Sequence, residues 1–189
     1  MADEDDIKSR LISVARWPNV DDPRLLMFLR HWANNRKGGV VPARGAIDPA
    51  QIAPCLPHVW IYRRDAESGQ FICTLAGDEI NMAWGRSIIG KKLSNFMPAD
   101  MARTLDQRYE LISTIPAILH SGHQATAQPI SGKAARRLIA PIAREDGSPY
   151  GVFGISIYVY DRQHDSEIPV RHSSDAVLYD CKVLPATPP

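Results

Sequence analysis

Two apolar runs separated by a polar turn, within residues 136–160, constrain the fold more than any other stretch. The first run is residues 138–143, and the second, residues 152–160, is rich in β-branched and aromatic side chains. The segment between them, 144–149, contains an Asp-Gly pair and a proline, which are typical of a tight turn. A run of about ten residues is too short for a membrane-spanning helix, which needs about 20. We therefore predict an antiparallel hairpin at the centre of a sheet and no membrane span.

Composition excludes several classes of function. Lysine and arginine number 22 against 21 acidic residues, and no basic cluster stands out, so we expect no nucleic-acid partner. The first ten residues are acidic and lack an apolar core, so no secretory signal is expected. The three cysteines, Cys55, Cys73 and Cys181, are far apart and odd in number. They indicate reduced thiols in a cytoplasmic protein.

A helix is predicted over residues 22–37, because Asp22 and Pro23 suit a helix start and Gly38-Gly39 suit its end. Its apolar residues recur at helical spacing. This stripe has two interpretations: it packs on the core, or it is also a dimer interface. The stripe consists of Leu25, Leu26, Phe28, Leu29 and Trp32.

The rest of the chain alternates between strand and helix patterns. We predict strands at 58–64 and 70–75, short helical pieces over 76–98, and a helix from 99 to about 113. An irregular strand follows over 116–130, with a bulge near Ser121-Gly122. The basic pair Arg136-Arg137 begins the next strand, where one side chain faces each side of the sheet. The polar segment after residue 161 is expected to be loosely ordered.

The order helix, β, β, short helices, helix, β, β, β resembles a PAS domain, and more narrowly the bacterial stand-alone PAS_5 type. The segments that carry the resemblance are RLLMFLRHWANNRKGG, VPARGAIDPAQIAPCLPHVWIYRRD, LAGDEINMAWGRSIIGKKL and RRLIAPIAREDGSPYGVFGISIYV. The resemblance implies an α+β fold, with a five-stranded antiparallel sheet, short helices on one face and an N-terminal flanking helix. The corresponding division is an arm at 1–21, a PAS-like domain at 22–160 and a tail at 161–189.

In PAS folds the sheet and the short helices enclose a pocket, and the resemblance therefore implies a set of ligand-binding candidates. The same residues could equally fill an ordinary core. Arg86, which belongs to this set, could bind a carboxylate or phosphate of a ligand, or pair with a nearby acidic residue such as Asp78, Glu79 or Asp100. The candidates are Leu75, Met82, Trp84, Arg86, Phe96, Met97, Tyr109, Ile139 and Ser156.

No cofactor or metal is expected. Residues 76–113, where PAS domains usually place a haem ligand or a flavin-reactive thiol, contain neither histidine nor cysteine. His120 and His123 lie three apart without a nearby cysteine, which favours a solvated strand edge over a zinc site. No nucleotide-binding or hydrolase motif is present.

Two hypotheses of different classes follow. The first is a non-catalytic sensory or protein-interaction module, expected as a homodimer, that acts through an unidentified signalling partner and could bind a small ligand. The alternative is a small-molecule enzyme on an NTF2-like α+β fold, with His58 as base and Asp78 as its partner. The burial of His58 discriminates between them, because a solvent-facing imidazole would leave the enzyme without its base.

Overall fold

The computed structural model describes residues 11–12, 14–126, 133–159 and 176–187. The α-helices are α1 (Pro23–Asn34), α2 (Asp78–Ala83) and α3 (Ala99–Thr114). Short 3-10 helices span Arg44–Ala46, Pro49–His58 and Leu93–Asn95. The strands are β1 (Leu11–Ile12), β2 (Val59–Arg64), β3 (Phe71–Ala76), β4 (Ala117–Thr126), β5 (Lys133–Ala143), β6 (Pro149–Val159) and β7 (Ala176–Asp180).

All seven strands form one sheet in the order β1-β7-β4-β5-β6-β2-β3. The short β1 runs parallel to β7, and every other pair is antiparallel. The β5–β6 hairpin lies at the centre, as predicted, and β4 shifts register between Ser121 and Gln124, where a bulge was predicted. The α+β fold class is therefore confirmed. None of the helices in the described ranges is long and apolar enough to cross a membrane.

The sheet differs from the prediction in its number of strands. It has six antiparallel strands rather than five, and the additional strand is β7. β7 pairs with β4 from Ala117↔Asp180 to Ser121↔Ala176. The expectation of a loosely ordered segment after residue 161 is therefore wrong for β7, which is part of the sheet.

Helices and loops cover the sheet on both sides, because alternate strand residues point to opposite faces. We call the side that packs against α1 the α1 face, and the side that packs against α2 and α3 the α3 face. Each face carries its own buried apolar cluster. Neighbours in sequence are divided between the two clusters: Ile61 lies on the α1 face and Tyr62 on the α3 face.

Helix α1 begins as its sequence predicts. The Asp22 carboxylate accepts a hydrogen bond from the Arg24 backbone N–H at 2.9 Å, and Pro23 occupies the first turn. The Trp32 indole N–H donates to the Pro141 carbonyl at 2.8 Å, and Phe28 lies with its ring centre 4.5 Å from that of Phe153. These contacts fix the helix to the central hairpin.

The predicted apolar stripe of α1 is thus covered by the chain's own sheet. Leu25, Phe28, Leu29 and Trp32 are all buried in the α1-face cluster, and Leu26 is half-buried. Of the two interpretations of the stripe, this arrangement corresponds to the one in which it packs on the core. A dimer contact through α1 would have to use the opposite side of the helix, where Met27 is exposed.

Candidate functional site on the α3 face

An aromatic cluster occupies the α3 face. Trp60 and Tyr62 come from β2, Phe71 from β3, and Tyr109 from α3. The Tyr109 ring centre lies 5.6 Å from Trp60, 5.4 Å from Tyr62 and 5.5 Å from Phe71. Rings at these separations attract one another through their edges and faces. Tyr109 therefore joins α3 to the sheet at the middle of the cluster.

The position of Trp60 depends on a glycine of the central hairpin. Trp60 pairs with Gly154 across β2 and β6, and a Cβ atom on Gly154 would lie 2.3 Å from the indole ring. With no side chain at this position, the indole lies over the β6 backbone. Its N–H then donates a 3.0 Å hydrogen bond to the Ser156 hydroxyl. Both polar groups are satisfied inside an apolar environment.

Burial further disfavours the charged form of the phenols of the cluster. It raises the pKa of Tyr62 well above its ordinary value and also raises the pKa of Tyr109. The charges of Arg137 and Arg108 act in the opposite direction on the pKa of Tyr109. Burial likewise raises the pKa of the Cys73 thiol to about 11. At neutral pH these groups are uncharged, and they can serve as hydrogen-bond donors or acceptors.

A row of polar residues crosses the same face next to the aromatic cluster. Ser121 on β4 is the register partner of Arg137 on β5, and Arg137 is the register partner of Ser156 on β6. Directly opposed residues project to the same side of a sheet. The Arg137 guanidinium lies 5.9 Å from the centre of the Tyr158 ring. We call Ser121, Arg137 and Ser156 the polar row.

The adjacent arginine faces the other way, as the sequence predicted. Arg136 binds the Asp21 carboxylate with an N–O distance of 3.0 Å. Its register partner Ile157 belongs to the α1-face cluster. The two basic side chains of Arg136 and Arg137 thus serve opposite faces of one strand.

The structure brings together about half of the predicted ligand-binding residues. Met97, Tyr109 and Ile139 are buried on the α3 face, and Ser156 lies there in the polar row. They pack against other side chains of this face, as a filled core would.

The other predicted ligand-binding residues lie elsewhere or at the margin. Trp84 and Phe96 contact each other with ring centres 4.8 Å apart and are partly buried at the edge of the α3 face. Met82 is 59% exposed, and Arg86 is exposed as well. Leu75 packs on the α1 face, because it pairs with Ile61. A pocket under α3 would therefore not include Leu75.

Sequence analysis did not single out Trp60, Tyr62, Phe71, Ser121 or Arg137 as site residues. A signal was present for the first two, since the alternation of Val59 and Ile61 as core residues sends Trp60 and Tyr62 to the opposite face. No local signal identifies the polar row, because its members come from three strands whose register is fixed only by pairing.

His58 contacts an arginine and not Asp78. Its Nε2 lies 3.2 Å from Nη1 of Arg24, which is itself bound to the Asp22 carboxylate. Burial first, and then the charge of Arg24, lower the pKa of the half-buried imidazole. Its Nδ1 is buried and has no hydrogen-bond partner in the described part of the chain. Among the contacts of described residues, no hydrogen bond joins His58 to the predicted partner Asp78.

A groove with a volume of about 480 Å³ lies outside the α3 face, between the end of α1 and the β5–β6 turn. Its charged lining side chains are Arg36, Lys37, Arg144 and Glu145. Arg36 is already engaged, because it donates to the Pro185 carbonyl at 2.7 Å and lies over the Trp17 ring. Within the described ranges, no group of three or more His, Cys, Asp or Glu side chains is placed to hold a metal ion.

The order of elements along the chain is that of a PAS-type fold. Strands β2 and β3 come first, short helices and the longer helix α3 follow, and the β5–β6 hairpin forms the centre of the antiparallel sheet. The PAS_5 family of PAS domains matches residues 20–157, and the chain belongs to this family.

Several solved structures are similar to part of this chain at low sequence identity. VqmA bound to DPO is 16% identical, with 59% of this chain and 58% of that chain covered and a TM-score of 0.46. A sensory box sensor histidine kinase from Vibrio cholerae is 15% identical, with 59% and 90% covered and a TM-score of 0.44. The PAS domain of Bordetella pertussis BvgS is 19% identical, with 56% and 79% covered and a TM-score of 0.41. The chain thus spans little more than half of the VqmA chain. No curated protein matches the chain significantly.

Proposed function

We propose that this chain is a cytosolic PAS-type sensory module without catalysis of its own, which binds a small ligand on the α3 face and signals through a partner protein. The supporting observation is the composition of that face in a member of a PAS family. Aromatic rings surround a few polar groups, the hydroxyl of Ser156 and the guanidinium of Arg137 among them. Sites for small ligands are mostly apolar and have a few well-placed polar groups.

The sheet offers a route from the site to the flanking helix. Strands β2, β5 and β6 contribute to both buried clusters, so a shift of Tyr62 on one face displaces Ile61 on the other. A ligand that binds one packing of the α3 face better than another shifts the equilibrium between them. Helix α1, fixed to β6 through Phe28 and Phe153, would report that shift to a partner.

Native mass spectrometry of the full chain, compared with the denatured mass, tests the ligand. We expect a non-covalent mass increment that disappears on denaturation. Tyr109→Leu should lose the increment, because it removes the central ring of the α3 face. Tyr150→Leu is the matched control, since Tyr150 is half-buried against the α1 face. A bare mass in all samples, even after incubation with a small-molecule extract, would contradict ligand binding.

Light scattering tests the homodimer that we expect from this module. Because Leu29 is fully buried, acidic substitution there would unfold the chain instead of testing an interface. Met27→Glu changes the exposed side of α1 and should yield monomers. Met82→Glu, on the exposed side of α2, is the matched control and should leave the dimer intact. A Met27→Glu dimer would rule out an interface on this side of α1, and a monomeric wild type would rule out the dimer.

A further inference from the structure

The polar row contains a hydroxyl that the described part of the structure leaves unsatisfied. Ser121 is fully buried, and its Oγ has no hydrogen-bond partner among the described residues. A buried polar group without a partner is costly, and native proteins rarely contain one without a reason. Ser156, at the other end of the row, differs in this respect because it accepts from Trp60. The row therefore has one satisfied hydroxyl and one unsatisfied hydroxyl.

A basic residue, Arg137, lies between the two serines in the register of the sheet. Arg137 is half-buried, and the contact shown for its guanidinium is the Tyr158 ring, with no carboxylate bound to it among the described residues. Arg136, one residue earlier, has its carboxylate in Asp21. Removing a charge from water costs free energy unless an opposite charge or hydrogen bonds compensate. Within the described part of the polar row, the Oγ of Ser121 thus lacks a hydrogen-bond partner and the guanidinium of Arg137 lacks a carboxylate.

We propose that the ligand of the α3 face is a small aromatic carboxylate, held by the guanidinium of Arg137 and the hydroxyl of Ser121. This inference rests on the proposed sensory function and specifies its ligand class. A guanidinium binds a carboxylate through two parallel N–H···O bonds, and a serine hydroxyl donates a further one. Ser121 and Arg137 are register partners on the same face, and such pairs have Cβ atoms about 5 Å apart, so an Arg137 rotamer turned toward β4 would bring its guanidinium beside the Ser121 hydroxyl.

The rest of the face determines the remainder of the ligand. The ring of Tyr158 lies beside Arg137, and the rings of Tyr109 and Trp60 continue from it over the sheet. A planar apolar body bound next to these rings gains from edge and face contacts.

Isothermal titration of the full chain with benzoate and with its neutral isostere benzamide tests the ligand class. We expect benzoate to bind and benzamide to bind at least about tenfold more weakly, since it lacks the charge that Arg137 pairs with. Arg137→Gln should weaken benzoate binding by a similar factor. Arg136→Gln removes the same charge from the opposite face and should leave benzoate binding unchanged. Equal binding of the two probes, equal effects of the two variants, or no benzoate binding would each overturn the inference.

Ser121→Ala separates a ligand-binding role from a structural one. Because the Ser121 hydroxyl is unsatisfied, its removal should raise the Tm of the free protein by about 2–4 °C while weakening benzoate binding about fivefold or more. A purely structural hydroxyl would instead lower the Tm on removal and leave benzoate binding unchanged. If Arg137→Gln fails to fold, Arg137→Lys serves in its place. It keeps the positive charge but lacks the paired N–H donors of the guanidinium, so it should still weaken benzoate binding.

The outcomes also separate this inference from the sensory function itself. A purified ligand that is neutral, and whose mass increment survives Arg137→Gln, would overturn the carboxylate inference and leave the sensory proposal standing. The absence of any mass increment together with the absence of benzoate binding would overturn both.

Discussion

At the scale of single residues, Gly154 determines the geometry of the α3 face. Gly154→Ala should destabilise the protein by about 1–3 kcal/mol, because the added Cβ would lie 2.3 Å from the indole of Trp60 and the ring cannot move without leaving Ser156. Urea unfolding measures the change.

The matched control for Gly154→Ala is Gly45→Ala. Its added Cβ would meet the flexible Glu145 carboxylate on the surface, which can swing aside, so the cost should stay below about 0.5 kcal/mol. Equal effects at the two positions would show that the close approach of Trp60 to Gly154 is unimportant.

Three histidines make stability depend on pH. Burial lowers the pKa of His31, His58 and His120, outweighing carboxylates near each ring. Each imidazole therefore holds fewer protons in the folded than in the unfolded chain just below its unfolded pKa of about 6.5. Their contribution to stability is complete above that pH and decreases as the pH falls through it.

We therefore expect a smaller free energy of unfolding at pH 6.0 than at pH 7.5, measured by urea titration with tryptophan fluorescence. His58→Gln should reduce this difference, because the Arg24 guanidinium next to His58 also opposes its protonation. If the unfolding free energy of the wild type were the same at both pH values, the imidazoles would titrate alike in the folded and unfolded chains.

At the scale of elements, helix α1 illustrates how one stripe of residues is assigned its role. Leu29 is fully buried against the sheet, and Met27 lies on the exposed side of the same helix. Leu29→Ala should destabilise the protein by about 2–5 kcal/mol, because it leaves a cavity in the α1-face cluster. Chemical unfolding measures this loss. Met27→Ala is the control, with an expected change within about 0.5 kcal/mol. Similar losses for both variants would contradict the orientation of α1.

At the scale of the whole molecule, β7 and the residues that follow it extend the sheet beyond β4 and contribute to both buried clusters. Leu178 belongs to the α3-face cluster, and Tyr179, Cys181 and Leu184 belong to the α1-face cluster. A chain ending at residue 160 should therefore expose the edge of β4 and apolar surface on both faces. We expect a lower Tm and aggregation, measured by calorimetry and light scattering.

A chain ending at residue 184 is the control for this truncation, because it keeps β7 and the apolar residues after it. Its Tm should stay close to that of the full chain. If the chain ending at 160 were as stable as this control, β7 would be dispensable.

The sequence by itself determined the fold class and most of the elements, with β1 and β7 as the exceptions. The two apolar runs and the turn within residues 136–160 predicted the central hairpin, and Asp22 with Pro23 predicted the start of α1, because these signals are local. No local signal showed what the apolar stripe of α1 packs against. Its residues have the same spacing whether they cover a sheet or a second subunit: Leu25, Phe28, Leu29 and Trp32.

Only the tertiary structure decided which residues form the candidate site. Leu75 lies in a predicted strand and Tyr109 in a predicted helix, and both were predicted to line the pocket. Pairing with Ile61 placed Leu75 on the opposite face from Tyr109. The row from Ser121 through Arg137 to Ser156 exists because three strands meet in one register. Register is set by packing and pairing over the whole sheet, and a shift of one residue would turn each of these side chains to the other face.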